Sequence, residues 1–166
     1  DRRQRQMCIR DRLPPEARFA MIFDDSSFET VELAAIDDDP LKFRDSRRYA
    51  DRLRDSRAKT GVKDAIAVAH GRIGGRKAVI AAFDFRFMGG SMGRMVGNGI
   101  IAAAETAVAQ DAALITVPST GGARMQEGVL SLMQLPRTIL PLRRYAPQAC
   151  RTSCCSPIRR LAALPP

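Results

Sequence analysis

Apolar residues are spaced in two ways along the chain, and the two spacings predict helices and strands in different places. Apolar positions three or four residues apart are typical of amphipathic helices and predict four of them, over residues 14–25, 41–59, about 94–110 and 125–135. Short, mostly apolar runs between turn residues predict strands, over residues 65–73, 77–85 and 112–117, with a shorter extended piece within 26–36.

Glycines separate these elements in a regular way. Gly74 and Gly75 lie between the first two long strands, and two adjacent glycines there predict a tight hairpin turn. Two of the strands are each followed by a glycine-containing turn and then by a helix. Repeated strand, turn and helix units predict a layered α/β fold with crossover connections. The single histidine, His70, lies in the first long strand, where we expect a structural role.

Polar and helix-breaking residues predict where two of the helices begin and end. The three aspartates at 37–39, followed by a proline, are expected to cap the helix at 41–59, which should end at Gly61. The helix at 125–135 is expected to end before Pro136. Its apolar face would consist of Val129, Leu130, Leu132 and Met133.

The 166 residues have a formal net charge of +9, and most of that excess lies at the two ends. Residues 1–12 hold five Arg and two Asp, and residues 145–166 hold three Arg and no acidic residue. These ends lack the interleaved aromatic residues of a nucleic-acid site, so we do not expect nucleic acid as a partner. No apolar run is long enough to span a membrane and no signal peptide is visible, so a cytoplasmic protein is expected.

The four cysteines also lie only in the two ends, at Cys8, Cys150, Cys154 and Cys155. Their spacing matches no paired C-x-x-C zinc pattern, and disulfide frameworks are uncommon in cytosolic proteins of this size. We therefore expect no metal site in this chain.

The most informative stretches are two glycine-containing turns, FMGGSMG at 87–93 and STGGAR at 119–124. The first satisfies G-x-S-x-G with Ser91 at its centre, between a strand and a helix, as the nucleophile turn of a serine hydrolase does. Its base would have to be His70, which precedes the serine, whereas α/β-hydrolases place the histidine last. A serine hydrolase therefore stays open as an alternative, and close helix packing explains the same glycines.

The second turn places Gly121 and Gly122 directly before a predicted helix. Their N–H groups can converge on an anion or on a developing oxyanion, which one donor can stabilise by roughly 3 kcal/mol in a transition state. A turn selected only for tightness has the same spacing, so both interpretations stay open. Arg124 could bind a substrate phosphate, or it could pair with Glu127 three residues further on.

Four segments together resemble one protein family over residues 13–144. They are DPLKFRDSRRYADRL, KTGVKDAIAVAHGRIGG, FMGGSMGRMVGNGI and STGGARMQEGVLSLMQLPRT. This combination is similar to the carboxyltransferase beta subunit of the multi-subunit acetyl-CoA carboxylase of bacteria and plastids. It is far more specific than either glycine turn alone.

The resemblance implies a crotonase-like (ClpP/crotonase) α/β fold, here partial and built from repeated β-β-α units. It implies that a carboxyl group moves from carboxybiotin, held by the biotin carboxyl carrier protein, to acetyl-CoA. The product would be malonyl-CoA for fatty-acid biosynthesis, and the site would be shared with the carboxyltransferase alpha subunit. One alternative is a related enzyme, a carboxyltransferase for propionyl-CoA or another acyl-CoA. A second alternative is not an enzyme but a basic binding module.

The resemblance also implies roles for individual residues, transferred by motif. The backbone N–H groups of Gly121 and Gly122 would form the oxyanion hole. The residues on the acyl-CoA side would be Gly89, Gly90, Ser91 and Arg124.

Both ends depart from the family pattern. Family members normally begin with a four-cysteine zinc ribbon, whose ligands are absent here, and the back-translation of MCIRDR within residues 1–12 resembles a sequencing adapter. Residues 148–166, back-translated and shifted by two bases, give a peptide similar to the family's own continuation. We therefore expect a non-native segment at 1–12, a partial carboxyltransferase domain at 13–144 and a frameshifted tail at 145–166. The chain by itself is expected to be inactive.

Overall fold

The computed structural model describes residues 13–26, 28–145 and 152–154. Its helices are α1 (Pro15–Ile22), α2 (Tyr49–Thr60), α3 (Arg94–Gln110), α4 (Val129–Leu132) and α5 (Gln134–Tyr145). Its strands are β1 (Phe28–Thr30), β2 (Ile66–Ile73), β3 (Arg76–Phe83), β4 (Ala113–Val117) and β5 (Thr152–Cys154). Short 3-10 turns lie at Asp24–Ser26, Met88–Gly90 and Met125–Glu127. The expected adapter segment lies outside the described residues, as does most of the expected frameshifted tail.

The described strands form one sheet in the order β1-β2-β3-β4-β5. β2 pairs antiparallel with β1 and β3, whereas β4 pairs parallel with β3 and β5. The predicted β2–β3 hairpin is confirmed: Gly74 and Gly75 have φ values of 57° and 76°, the left-handed region that a two-residue hairpin turn favours. The Asp24 carboxylate accepts both glycine N–H groups at 2.9 and 2.8 Å. These bonds hold the pKa of Asp24 below its usual value.

Side chains alternate across β3, and each face of the sheet buries its own core. Val79, Ala81 and Phe83 belong to the core that α2 and α3 cover, whereas Ile80 and Ala82 belong to the core that includes Phe19 and Phe23 of the α1 side. The side chains of this strand from residue 78 to 83 are all buried. Because it is covered on both faces, β3 forms the apolar centre of the fold.

Helix α2 begins at Tyr49 and not at residue 41. The preceding residues form a loop in which Asp39 Oδ1 accepts the Phe43 N–H at 3.0 Å and Phe43 O accepts the Tyr49 N–H at 3.0 Å. Capping of the helix by the aspartates at 37–39 is therefore wrong, because Asp39 is used within the loop. The predicted end is confirmed, since Gly61 follows the last turn with a φ of 73°.

The single helix predicted over 125–135 is also wrong. Gly128, with a φ of 53°, separates the 3-10 turn from α4, and the following α5 runs past Pro136. The ring is tolerated because Pro136 lies in the first turn of α5, where an N–H has no intrahelical acceptor. The predicted apolar face is largely exposed, at Val129, Leu132 and Met133. The buried residues are instead the polar Ser131, Gln134 and Thr138.

The packing of α5 against α3 explains how these polar side chains are buried. A Cβ on Gly97 of α3 would overlap the Gln134 side chain, so the missing side chain makes the room for it. The Gln134 amide nitrogen donates to Leu130 O at 2.8 Å, and the Thr138 hydroxyl donates to Gln134 O at 2.9 Å. The polar groups are thus bonded inside the helix layer, and the close packing that the small residues of α3 predict is observed.

Candidate active site

The two glycine-containing turns lie side by side, although α3 and β4 separate them along the chain. The Met92 N–H donates to Gly122 O at 2.8 Å, and the Arg124 N–H donates back to Met92 O at 3.0 Å. The Gly121 N–H donates to Gly89 O at 2.9 Å. The two stretches singled out by sequence therefore form one structural unit, which we call the paired turns, residues 87–93 and 119–124.

Glycine is required in the first turn by conformation and by contact. Gly89 and Gly90 have φ values of 66° and 65°, which L side chains rarely adopt. A Cβ on Gly90 would also overlap the carbonyl oxygen of Ser119. A Cβ on Gly93 would lie 2.5 Å from Glu127 Oε1. These constraints account for the glycines of the G-x-S-x-G pattern without a nucleophilic serine.

The guanidinium of Arg124 lies beneath the paired turns and is buried, with the residue 1% exposed. It binds Asp64 through two bonds, Nη2 to Oδ1 at 2.6 Å and Nη1 to Oδ2 at 2.9 Å. Its Nε donates to the Ser91 hydroxyl at 3.1 Å and its Nη2 to the Ser91 carbonyl at 2.9 Å. Nη1 lies 3.3 Å from Glu127 Oε1, and the Phe87 ring centroid lies 5.5 Å from the guanidinium carbon. Every nitrogen of the guanidinium is thus bonded within the chain.

Two further contacts extend this buried network. The Tyr49 hydroxyl donates to Glu127 Oε1 at 2.7 Å and accepts from Arg124 Nη1 at 3.2 Å. Glu127 Oε2 accepts the Arg94 N–H at 2.7 Å, so a carboxylate meets the positive N-terminal end of α3. We call the four side chains the Arg124 cluster: Tyr49, Asp64, Arg124 and Glu127.

The Arg124 cluster sets two carboxylates against one guanidinium in a place where charge is costly to bury. Burial would lower the pKa of Arg124, but the hydrogen bond and the charge of Asp64 outweigh it, and the pKa is raised. Burial raises the pKa of Tyr49 and outweighs the opposing charge of Arg124. Arg124 is therefore cationic and Tyr49 neutral throughout the physiological pH range.

A cavity of about 450 Å³ opens beside the paired turns. Its walls include Arg47, Arg52, Met88, Ser91, Ala123 and Gln126. The Arg52 Nε is buried and has no hydrogen-bond partner among the described residues, while its Nη2 holds Asp45 at 2.6 Å. Cationic side chains and both paired turns therefore border the same space.

The structure brings the predicted site residues together, but it uses their donors within the chain. The Gly121 N–H donates to Gly89, and the Gly122 N–H donates to Thr120 Oγ1 at 3.0 Å. An oxyanion at this turn would have to replace these acceptors. Arg124 makes the predicted pair with Glu127, and a substrate phosphate would have to displace one of its buried partners. We therefore interpret Arg124 as acting through its neighbours.

The contacts of Ser91 do not support the serine hydrolase alternative. Its hydroxyl accepts from Arg124 Nε at 3.1 Å. The single histidine of the sequence, His70, lies with Nε2 3.6 Å from Glu29 Oε2 on β1. A nucleophilic serine needs a base within hydrogen-bond distance, and no described residue provides one for Ser91.

Sequence reasoning missed Asp64 and the polar role of Tyr49. They lie 60 and 75 positions from Arg124 along the chain, beyond the reach of any local spacing. Asp64 stands in an irregular segment before β2, and the local spacing of Tyr49 indicates only an apolar position of a helix. The one general signal is that a buried arginine requires buried acceptors, and the burial of Arg124 is not visible in its local pattern.

The sequence matches a known family over the residues that build this site. The model of the carboxyl transferase domain matches residues 32–139. The acetyl-coenzyme A carboxylase carboxyl transferase subunit beta of Granulibacter bethesdensis is 58% identical over 119 residues, which cover 72% of this chain and 39% of that protein. The subunit of the same name from Hirschia baltica is 52% identical over 131 residues, which cover 79% and 38%. The chain therefore belongs to the carboxyl transferase domain family, and it spans about two fifths of the length of these relatives.

Solved structures agree with the family assignment. Transcarboxylase 12S, a hexamer solved with hydrolysed methylmalonyl-coenzyme A bound, matches with a TM-score of 0.61 at 23% identity, over 85% of this chain and 25% of its own. The Pseudomonas malonate decarboxylase MdcD–MdcE heterodimer matches with a TM-score of 0.55 at 26% identity, over 80% and 49%. The predicted crotonase-like carboxyltransferase fold is confirmed.

Two further findings concern only the described part of the chain. No group of three or more His, Cys, Asp or Glu residues there could hold a metal ion. The zinc that the family resemblance implies therefore has no ligand set among those residues. None of the described helices is both long and apolar enough to cross a membrane.

The Arg124–Asp64 pair predicts a large cost when one partner is removed. Asp64→Asn leaves a buried guanidinium without its bidentate carboxylate, and we expect a loss of about 3–5 kcal/mol in the free energy of unfolding. Urea unfolding followed by circular dichroism measures this quantity.

The matched control is Asp38→Asn. Asp38 holds Arg57 through two bonds of 2.6 Å, but both side chains are partly exposed, so the expected loss is about 0–1 kcal/mol. Equal losses for the two variants would contradict a special role of the buried pair.

Proposed function

We propose that the chain is part of the carboxyltransferase beta subunit of a multi-subunit acetyl-CoA carboxylase, acting in the cytoplasm. The observation that carries the proposal is that both paired turns lie inside the matched domain and border one cavity. Eight relatives with this subunit's name align at 48–58% identity.

The proposed reaction moves a carboxyl group onto the acetyl carbon of acetyl-CoA. The bond between the carboxyl carbon and the ureido nitrogen of carboxybiotin breaks, and the released biotin takes the α-proton onto its ureido group, so that the nitrogen ends with it. Negative charge develops on the thioester oxygen of the enolate, and the enolate carbon bonds to the released carboxyl carbon. Because biotin takes the α-proton, the protein needs no general base. The position of the single histidine on β2, with Glu29 as its partner, supports this assignment.

The second turn would supply the backbone donors for the enolate or ureido oxygen. Preorganised N–H groups stabilise such an oxygen because they are already in place when its charge develops. Gly122 is the better placed donor, because its N–H is bonded only to the exposed Thr120 hydroxyl of its own turn. The Gly121 N–H pairs the two turns, so Gly121 would act as a donor to the substrate only when the substrate oxygen replaces Gly89 O as its acceptor.

Acyl-CoA would lie on the side of Gly89, Gly90 and Ser91. Ser91 borders the cavity. Arg47 and Arg52 also line it, and each is paired with an exposed aspartate, Asp55 and Asp45, which a phosphate group of CoA would have to replace. Arg124 would act on this side through its two bonds to Ser91.

The proposed partners are the carboxyltransferase alpha subunit and the biotin carboxyl carrier protein. Apolar side chains exposed along α4 and α5 support a protein partner, since clustered apolar surface marks interaction sites. They are Val129, Leu132, Met133, Leu135, Ile139 and Leu140. We propose that the alpha subunit covers this surface, and we propose no nucleic-acid or membrane partner.

A segment exchange tests the proposed activity. The 119-residue segment aligned with the Granulibacter bethesdensis subunit is placed into that subunit, and the hybrid is combined with its alpha subunit, carrier protein and carboxybiotin. We expect malonyl-CoA formation within about tenfold of the parent subunit, because the exchanged segment carries both paired turns. Propionyl-CoA in place of acetyl-CoA tests the acyl preference, and a hybrid that folds but forms neither product would overturn the proposal.

Ser91→Ala in the same hybrid separates this activity from ester hydrolysis. A carboxyltransferase that relies on backbone donors should lose less than about tenfold in rate, since only the Nε acceptor of Arg124 is removed. A serine hydrolase would lose essentially all hydrolysis of an activated ester, so hydrolysis that depends on Ser91 would favour the hydrolase.

The partner surface predicts a charge-sensitive contact. Leu132→Glu places a carboxylate on a 54% exposed apolar residue of α4, and we expect at least tenfold weaker binding of the alpha subunit by calorimetry. The control is Met21→Glu at a 77% exposed apolar residue of α1. Weakening by both variants alike would argue against α4 and α5 as the contact.

A further inference from the structure

The Arg124 cluster joins parts of the chain that are far apart in sequence. Asp64 precedes β2 and Tyr49 is the first residue of α2. Glu127 binds the N–H of Arg94, the first residue of α3. From within the second of the paired turns, Arg124 contacts Asp64 and Tyr49 directly and reaches the start of α3 through Glu127.

Stability by itself is a poor explanation of this arrangement. Removing two carboxylates and a guanidinium from water is costly, and apolar side chains of similar volume often stabilise a core equally well. What a planar guanidinium adds is direction, because its N–H groups fix acceptors in one plane at set angles. A Lys ammonium provides the charge without this fixed geometry.

The fixed directions of the Arg124 N–H groups orient the first of the paired turns. The guanidinium of Arg124 binds both oxygens of Ser91, at 2.9 and 3.1 Å. The backbone N–H of the same Arg124 binds the next carbonyl, Met92 O, at 3.0 Å. One residue of the second turn therefore holds two successive residues of the first. Asp64 fixes the adjacent edge of that guanidinium, which shares Nη2 with the Ser91 contact.

We propose that Arg124 is a positioning residue for carboxyl transfer. Arg124 sets the separation of the paired turns. It thereby fixes the distance between a thioester bound beside Ser91 and the backbone N–H of Gly122. The inference rests on the proposed function and adds to it a residue that need not touch the substrate. Displacement of a reacting group by about 1 Å can cost on the order of a hundredfold in rate.

The first test is amide hydrogen exchange of the full chain carrying Arg124→Lys. The charge is kept and the planar contacts are lost, so the N–H groups that join the turns, those of Met92 and Gly121, should exchange at least tenfold faster. The N–H of Ile80 in the centre of β3 reports the change in global stability and should accelerate clearly less than these two. Equal acceleration at all three positions would mean a loss of global stability and would overturn the proposal, as would no change at any.

The second test measures kcat and KM for acetyl-CoA with Arg124→Lys in a holoenzyme assembled from the hybrid subunit defined above, its alpha subunit and its carrier protein, well below the unfolding temperature. We expect kcat to fall by about 30–100-fold and KM to change by less than about threefold. The matched control is Arg57→Lys, which loses an equally short bidentate bond to Asp38 at the surface and should keep the wild-type kcat.

The outcomes separate this inference from the function on which it rests. An active wild-type holoenzyme with unchanged kcat in Arg124→Lys would overturn the positioning role alone. An inactive wild-type holoenzyme would overturn the proposed function and the inference together. If Arg124→Lys does not fold, Ser91→Ala is measured by exchange in its place. Its Met92 N–H should exchange about threefold faster with Ile80 unchanged, and an unchanged Met92 would overturn the proposal.

Discussion

A guanidinium shielded from water needs an acceptor on every side, and Arg124 finds its acceptors on Asp64, Ser91, Tyr49 and Glu127. The constraint reaches much of the fold, because these residues belong to separate segments that must arrive in one place. Four segments meet there: the first residue of α2, the residues before β2, the first turn and the N-terminus of α3. The sheet and its two apolar cores hold those segments in position, and the polar cluster fixes how they meet.

This arrangement changes the interpretation of the two glycine motifs. Taken separately, one is compatible with a hydrolase nucleophile and the other with a tight bend. In the fold they are one unit, bonded through Met92 and Gly121, and their glycines are required by positive φ angles and by close contacts. The serine at the centre of the first motif is an acceptor for Arg124. The matched family domain includes both turns. We propose that this unit acts in acyl-CoA carboxyl transfer, with its backbone geometry carrying more of the chemistry than any acidic or basic side chain.

Local pattern was sufficient where local forces decide the structure. The Gly74 and Gly75 hairpin, β4 and α3 follow from turn chemistry and apolar spacing, and the structure has them within about two residues. Prediction from local pattern failed where tertiary contacts determine the structure. Asp39 binds the loop before α2 and does not cap a helix, and Gln134 is buried because Gly97 leaves space for it. Asp64 was missed because its partner is distant in sequence.

We propose that the paired turns form one acyl-CoA site, with Arg124 beneath them and not within it. Amide chemical shifts of the chain, followed during titration with acetyl-CoA, test this proposal. We expect the largest shift changes in both turns, at Gly89, Ser91, Gly122 and Ala123, with little change at the distant Gly75. Changes confined to one turn, or centred away from both, would contradict it.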